Sequence, residues 1–207
     1  MNDAPVQQDG YIKLFEELKR YVRFGDGDAE LLTELRGYAE PHFEVMVRAF
    51  YERTREHQDA YAVFADDVQI ERLHRSLAAW LRRLLTGPYD ADYCRRSARI
   101  GQVHVQVGLP QRYMFAAMSL FRIQLNAIID ASYSPSAATA TRNALTRIID
   151  IELALMTETY RDACEMRLDR LRGVDEPSQV RYKAAVELAG AMIVALDMKG
   201  CVQLFNR

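Results

Sequence analysis

His104 is the residue whose type and position in this sequence are best suited to chemistry. Ile100, Val103 and Val107 recur around it at helical spacing and define an apolar face that its imidazole shares. A buried neutral imidazole needs a partner. A metal ion can bind one ring nitrogen while the other N–H donates to a backbone carbonyl about one turn earlier. A hydrogen-bonded core histidine has the same spacing, so the pattern alone leaves both interpretations open.

The sequence lacks the residue groupings that are typical of an enzyme. No nucleophile is paired with a base, no glycine-rich phosphate loop is present, and the acidic residues show no convergent pair. Cys94, Cys164 and Cys201 are odd in number and widely spaced, which fits free thiols better than disulfides or a zinc site. We therefore expect no enzyme within this chain.

The composition is that of an ordinary globular protein. Of the 207 residues, 49% are apolar and 27% are charged, which argues against disorder. The net charge of -2 offers no basic field to nucleic acid or anionic lipid, so neither is expected as a partner. No apolar run reaches the roughly 18 to 20 residues that cross a bilayer, and the N-terminus lacks the order of a signal peptide. These features predict a cytoplasmic protein.

Up to about residue 172 the apolar residues recur at spacings of three and four, which predicts an almost entirely helical domain. Turn and capping residues divide this part of the chain into seven helices. The first helix is Tyr11 to Tyr21, the second is capped by Asp28 and ends near Pro41, and the third reaches about His57. The fourth is capped by Asp66 or Asp67 and closed by Gly87-Pro88, and the fifth is capped by Asp90 and ends at Gly108-Leu109-Pro110. Two longer helices follow, over Pro110 to Tyr133 and Ser136 to Leu171.

The pattern changes after residue 172. Residues 173–180 are polar and contain Pro177, which predicts a linker. Residues 181–207 first resume the helical pattern and then alternate like strands, with Asp197 to Gly200 as a hairpin turn. Because a lone hairpin is marginal in water, we expect residues 181–207 to be the truncated start of a second domain that continues past Arg207.

Three stretches resemble one known family. The first is RIGQVHVQVGLP at 99–110, which is followed by Arg112-Tyr113 and Ala116-Ala117-Met118; the others are FYER at 50–53 and LTGPYDADY at 85–93. In content and order they resemble the globin-coupled sensors, bacterial haem-binding sensor globins, over roughly residues 10 to 172. The resemblance implies an all-α globin fold with an extra N-terminal helix for residues 1–172.

The resemblance also implies a cofactor. It makes His104 the ligand of the iron of haem b, which would be held non-covalently because the sequence has no C-x-x-C-H motif. Tyr51, 53 positions before His104, matches the family's distal tyrosine. A phenol can donate a hydrogen bond to iron-bound O2 without bringing a formal charge into an apolar pocket.

The fourth predicted helix supplies the rest of the expected cofactor site, namely Leu73, Ser76 and Leu77. Leu73 matches the position where oxygen carriers keep a distal histidine and where this family often has leucine. Ser76 points the same way one turn further, where its hydroxyl either donates to the bound gas or fills space. His74 is rotated by about 100° from Leu73 on an ideal helix, so we expect it on an exposed flank.

The last two predicted helices have apolar residues on more than one face. One face can close the globin core while another packs against a second subunit. In the resembled family these helices form the four-helix bundle of a homodimer. The C-terminal residues resemble the opening of an α/β PAS domain, which implies a signalling output. A histidine kinase is the preferred output, and a diguanylate cyclase is the alternative.

Together these expectations describe a haem-based gas sensor. O2, or alternatively NO or CO, binds at the iron on His104 and shifts the dimer between two states that bias the C-terminal output. Two other functions stay open. One is a haem enzyme that turns over O2 or NO, and the other is a cofactor-free helical dimerisation module in which His104 is a core residue.

Overall fold

The computed structural model of the protein describes the backbone of residues 4–188, 194–196 and 202–205, and the side chains of residues 9–66 and 68–168. Its elements in chain order are α1 (Ala4–Tyr21), α2 (Asp26–Ala39), a 3-10 turn (Glu40–His42), α3 (Phe43–Arg55), α4 (Gln58–Tyr61), α5 (Asp67–Thr86), α6 (Ala91–Gln106), α7 (Gln111–Ser132), α8 (Pro135–Leu188), β1 (Val194–Leu196) and β2 (Val202–Phe205). The chain divides into two compact units, Met1–Arg161 and Asp162–Arg207. The predicted all-α character of the first unit is confirmed.

The core of the first unit consists of aliphatic and aromatic side chains from most of its helices. Completely buried members include Phe15, Leu32, Leu35, Leu81, Leu84, Leu85, Leu125, Ile129, Leu145, Ile148 and Ile149. Burying one such side chain contributes about 1.5–3 kcal/mol. This apolar core therefore holds α3, α5 and α6, the helices that bear the predicted site residues.

Two predicted helix caps are confirmed. The Asp66 carboxylate accepts from the Gln69 N–H at 2.6 Å at the start of α5, and the Asp90 carboxylate accepts from the Tyr93 N–H at 2.9 Å at the start of α6. Gly87 closes α5 with a φ of +69°, a conformation that glycine adopts without the strain of a side chain. These local signals set the ends of the helices around the candidate site.

Other helix boundaries differ from the predicted ones. Asp28 does not cap α2 from outside, because the helix begins at Asp26 and the Asp28 carboxylate accepts from the Gly25 N–H at 3.0 Å from within the first turn. α1 begins at Ala4 rather than Tyr11, since a proline in the first turn of a helix removes no helical hydrogen bond. The third predicted helix is α3, which ends two residues before His57.

α8 is longer than predicted. It continues 17 residues past Leu171, through residues 173–180 and on to Leu188. The predicted linker, residues 173–180, is thus helical, and its role between two domains stays a prediction. Gly173 and Pro177 weaken a helix, yet an interior proline removes a single backbone hydrogen bond and the neighbouring glutamate, arginine and leucine residues favour helix.

The predicted strand pairing near the C-terminus is confirmed. β1 and β2 are antiparallel, with Val194 opposite Phe205, Ala195 opposite Leu204 and Leu196 opposite Val202, and with a register irregularity between Ala195 and Leu196. The predicted turn, Asp197 to Gly200, lies outside the described residues. Membership of these strands in a PAS-like domain stays a prediction.

α7 is the one helix of the described residues that could cross a membrane by length and composition alone, with a mean hydropathy of 1.2. A single helix of this kind is weak evidence, since core helices pass the same test. Its buried residues, Met114, Met118, Phe121, Leu125 and Ile129, follow at three- and four-residue spacing. That is the pattern of an amphipathic helix with one side in a protein core.

Candidate functional site

His104 lies in the last turn of α6 and is half-buried. Burial lowers the pKa of its imidazole below the ordinary value, so the neutral ring is favoured. Its Nδ1 atom is buried and has no hydrogen-bond partner among the described residues. The predicted bond from the ring to a carbonyl one turn earlier is not made by this atom. An unpaired buried polar group costs about 1–3 kcal/mol, so this nitrogen is a candidate for a ligand outside the chain.

The side of α6 that is buried differs from the predicted one. Val103 and Val107 are 44% and 43% exposed, so the described residues of the chain do not themselves bury the apolar face predicted around His104. The buried side instead contains small and polar residues, including Ser97 and Gly101, because α6 packs closely on α8 there. The two valines leave apolar surface in the open beside His104, which an apolar group could cover.

Tyr51 is buried in α3 among other rings. Its ring centroid lies 5.0 Å from that of Phe50 and 5.8 Å from that of Phe64, both edge-on, and 4.5 Å from that of His74, which is stacked at 19°. Burial raises the pKa of the Tyr51 hydroxyl well above its ordinary value. The phenol therefore stays protonated and can donate a hydrogen bond at any physiological pH.

The predicted residues of α5 do not all lie on one side. Leu73 and Leu77 are half-buried and pack against the core. Ser76 is exposed, and its hydroxyl donates to the Arg72 carbonyl at 3.4 Å. The structure thus brings the two leucines to the inner side of α5 and leaves the serine outside.

His74 is the residue of α5 that contacts Tyr51. It is half-buried and stacked on the tyrosine, so the prediction of an exposed flank is wrong. The physical reason is the position of α3, which covers this side of α5. A signal was present in the sequence, because His74 follows the buried Ile70 by four residues and precedes Leu77 by three.

Within the part of the chain that the structure describes, no group of three or more His, Cys, Asp or Glu side chains could hold a metal ion. A metal bound to His104 therefore has no cluster of such protein ligands around it among the described residues. A porphyrin supplies four nitrogens to its iron and leaves one position for a histidine. The neutral, unpaired imidazole and the open valines beside it fit such a cofactor.

Comparison with known proteins shows the family of this chain. Residues 13–165 match the Protoglobin family. The globin domain of a Geobacter sulfurreducens globin-coupled sensor is 32% identical, with a TM-score of 0.67, and the match covers 70% of this chain and 97% of that one. The chain belongs to the protoglobin family and, within it, to the globin-coupled sensors. The resemblance found in the sequence is thereby confirmed.

Two further relatives widen the comparison. The globin domain of E. coli DosC, known in ferric and ferrous forms, is 18% identical with a TM-score of 0.59 over 70% of this chain and 99% of that one, which shows the shared fold alone. The heme-based aerotactic transducer HemAT of Halobacterium salinarum is 30% identical over 137 residues, or 60% of this chain. The matched region spans 28% of that transducer's length.

Proposed function

We propose that residues 1–172 are a gas-sensing domain in which His104 binds the iron of a non-covalent haem b. The observation that carries this proposal is the half-buried imidazole of His104, whose Nδ1 is buried with no partner among the described residues, beside the exposed Val103 and Val107. A neutral imidazole is a good iron ligand, and a haem is a large apolar body with a metal at its centre. Membership of the globin-coupled sensors and the heme named for the archaeal transducer support the same cofactor.

The haem, when bound, supplies an iron at which a diatomic gas can bind, and O2 is the gas we propose. Tyr51 is the proposed donor to that gas, because its buried phenol keeps its proton. Leu73 and Leu77 are proposed as apolar walls of the cofactor site. Ser76 would have to leave the Arg72 carbonyl and turn away from solvent before it could act as a second donor.

A homodimer through α7 and α8 is part of the proposal. Phe115 and Ile123 of α7 are 47% and 64% exposed, which is unusual for side chains of this size and class. A groove of about 360 Å³ is lined by Phe115 together with Leu153, Ala154 and Thr157 of α8. A second copy of the chain would remove this apolar surface from water.

The proposed output lies beyond the sensor domain. Ligand binding would shift the equilibrium between two states of the dimer, and α8 would pass that shift to the C-terminal residues. We propose that these residues begin a PAS-like domain of a cytoplasmic histidine kinase, and that the sensor domain itself is not an enzyme. Support comes from the long α8 and the antiparallel β1–β2 pair.

Purified protein tests the cofactor directly. We expect an intense Soret band at near one haem per chain, with changes when CO or O2 is added to the reduced protein. His104→Ala should lose the haem or bind it weakly with an altered spectrum, whereas the exposed His42→Ala should match the wild type. An unchanged ferrous spectrum at full occupancy in His104→Ala would refute the ligand. A colourless wild-type protein that cannot be reconstituted would favour the dimerisation module, and steady consumption of O2 or NO would favour the enzyme.

A further inference from the structure

α8 contains a carboxyl group that is completely removed from solvent. Glu152 is 0% exposed, and its Oε1 accepts a hydrogen bond from the Ser97 hydroxyl of α6 at 2.7 Å. Its other oxygen, Oε2, is buried with no partner among the residues that the structure describes. An incompletely paired buried carboxyl costs free energy, and an apolar residue of similar size would pack here without that cost. The position therefore calls for an explanation other than packing.

Donor groups from α5 and α6 surround this carboxyl. Burial raises the pKa of Glu152, while the Tyr93 hydroxyl, the Trp80 indole N–H and the Arg83 guanidinium act to lower it. Yet the Tyr93 hydroxyl, the Trp80 Nε1 and two Arg83 nitrogens are themselves buried without a well-formed hydrogen bond in the described part of the chain. The side chains around Glu152 therefore offer more hydrogen-bond donors and acceptors than the hydrogen bonds that they form. A small displacement of one helix can then make or break bonds to Glu152 in surroundings where each bond is strong.

Ser97 lies on the same side of α6 as His104. Ser97, Gly101 and His104 follow at i, i+4 and i+7, so they lie above one another along the helix. At Gly101 the two helices touch directly, because a Cβ there would lie 2.5 Å from Thr159 Oγ1 and 3.0 Å from the Met156 Cα. Close packing of α6 on α8 thus lies three residues from His104 along the helix, so a displacement of His104 also displaces this contact.

A third contact lies on the other side of His104 along the chain. The Tyr160 hydroxyl of α8 donates to the Leu109 carbonyl, just after the end of α6, at 2.9 Å. Residues 152, 156, 159 and 160 of α8 therefore contact α6 and the turn that follows it on both sides of His104. Among these contacts, only the one at Glu152 joins a buried charge-bearing group to a hydroxyl of α6.

We propose that Glu152 is a positioning residue through which a movement of α6, caused by gas binding at the His104-bound iron, is passed to α8. The inference rests on the proposed function. When α6 moves, the Ser97 and Tyr93 hydroxyls move with it relative to a carboxyl fixed on α8. Bonds to Glu152 then differ between the two states, and this difference biases α8.

Hydrogen–deuterium exchange of α8 tests the proposal in the haem-loaded 207-residue protein. Exchange of α8 amides would be compared between the ferrous ligand-free and ferrous CO-bound forms of the wild type, Glu152→Gln and Ser97→Ala. The matched control is Thr141→Val, since Thr141 is also 0% exposed on α8 but its hydroxyl donates within its own helix, to the Ala137 carbonyl at 3.0 Å. A CO-dependent change in exchange rate is expected in the wild type and in Thr141→Val, and it should be largely lost in Glu152→Gln and Ser97→Ala.

The outcomes separate the two proposals. If Glu152→Gln and Ser97→Ala bind haem and CO normally yet keep the wild-type exchange difference, Glu152 is not the positioning residue. A wild-type protein that binds haem and CO but shows no change in α8 would overturn the inference in the same way. Absence of a Soret band would instead overturn the proposed function, and with it the inference. If Glu152→Gln does not fold, Ser97→Ala gives the same test with the carboxyl retained.

Discussion

Burial acts on two titratable side chains of this protein with opposite consequences. It raises the pKa of the Tyr51 hydroxyl, which keeps the phenol in its neutral donor form. It also raises the pKa of the Glu152 carboxyl, which disfavours the charged form that a glutamate normally has. The same desolvation therefore keeps the Tyr51 phenol of α3 protonated as a hydrogen-bond donor. It also makes the protonation of the Glu152 carboxyl of α8 depend on its hydrogen-bond partners.

Replacement of Tyr51 by Phe isolates one hydrogen bond, because the ring and its contacts with Phe50, Phe64 and His74 remain. A bond of this kind to a partly charged acceptor is worth roughly 0.5–1.5 kcal/mol or somewhat more. O2 should therefore leave the ferrous protein roughly 2- to 20-fold faster, and CO release should change less. Stopped-flow dissociation of each gas measures this, with Tyr21→Phe, at a residue 85% exposed, as control.

The same experiment has outcomes that contradict the assignment. Equal acceleration of O2 and CO release would indicate a steric role, and the donor assignment of Tyr51 would then be abandoned. A larger effect of Ser76→Ala than of Tyr51→Phe would transfer the role to Ser76.

Glu152 should make stability depend on pH in a defined direction. Its folded pKa is raised above the unfolded value of about 4.3, so its favourable contribution is present below that pH and is lost as pH rises through the folded pKa. The groups that act on it are Tyr93 and Ser97 of α6 and Arg83 and Trp80 of α5, and its charge also acts on Tyr89 and Cys94. Glu152→Gln cannot titrate, so its free energy of unfolding relative to the wild type should increase above about pH 4.3, by up to about 1.4 kcal/mol per pH unit over the interval between the two pKa values.

Urea unfolding between pH 4 and 8 measures the Glu152 effect, with the exposed Glu44→Gln as a control that should show no such trend. A difference between Glu152→Gln and the wild type that is flat with pH, or that falls as pH rises, would mean that the donors around Glu152 outweigh its burial.

At the scale of residues, the sequence is least informative about side chains whose environment is set by a distant partner. The role of Tyr51 is implied by the family resemblance and stays a prediction, and the structure adds that its ring is buried among Phe50, Phe64 and His74. The prediction of an exposed flank for His74 is wrong because its environment depends on where α3 passes α5. Glu152 was missed because a glutamate is normally exposed, and its bond to Ser97 spans 55 positions of sequence.

At the scale of elements, the same division appears between local and long-range causes. The starts of α5 and α6 were predicted correctly because Asp66 and Asp90 cap them within three residues. The buried side of α6 was not, because the apolar valines at its C-terminal end suggest one face and the small residue Gly101 specifies another. Close approach of two helices needs a small residue where they cross, which periodicity of apolar residues does not show.

Gly101→Ala tests that crossing. The added Cβ would meet the Met156 backbone at 3.0 Å and Thr159 Oγ1 at 2.5 Å, so α6 must move away from α8. Overpacking of this kind costs about 1–3 kcal/mol of stability, which outweighs the helix propensity that alanine adds. The control is Gly37→Ala in α2, where a Cβ meets nothing within 4 Å and stability should increase by up to about 1 kcal/mol.

Urea denaturation of both glycine variants provides the measurement. If Gly101→Ala were as stable as Gly37→Ala, α6 and α8 could not be in backbone contact. The α6–α8 interface that contains the hydrogen bond from Ser97 to Glu152 would then have to be reconsidered.

At the scale of the whole molecule, the first unit has a well-buried apolar core and also exposes large apolar side chains to solvent. Leu125 and Ile129 of α7 are completely buried, whereas Phe115 and Ile123 of the same helix remain open to solvent. One face of α7 therefore closes the globin core, as the sequence pattern predicted. The other face is not covered by the described residues of the chain, which is why a second subunit is the proposed occupant.

Ile123→Glu should dissociate the proposed dimer, because it would place an unpaired charge in the centre of an apolar interface. Val45→Glu is a matched control, since Val45 of α3 is also 64% exposed but lies on a helix outside the proposed interface. Sedimentation at micromolar concentration should give a dimer for the wild type and Val45→Glu and a monomer for Ile123→Glu, with the haem spectrum unchanged in all three. A wild-type monomer at this concentration would contradict dimerisation through α7 and α8. A dimer that persists in Ile123→Glu would place the interface on another surface, and the exposed side of α7 would then need a different partner.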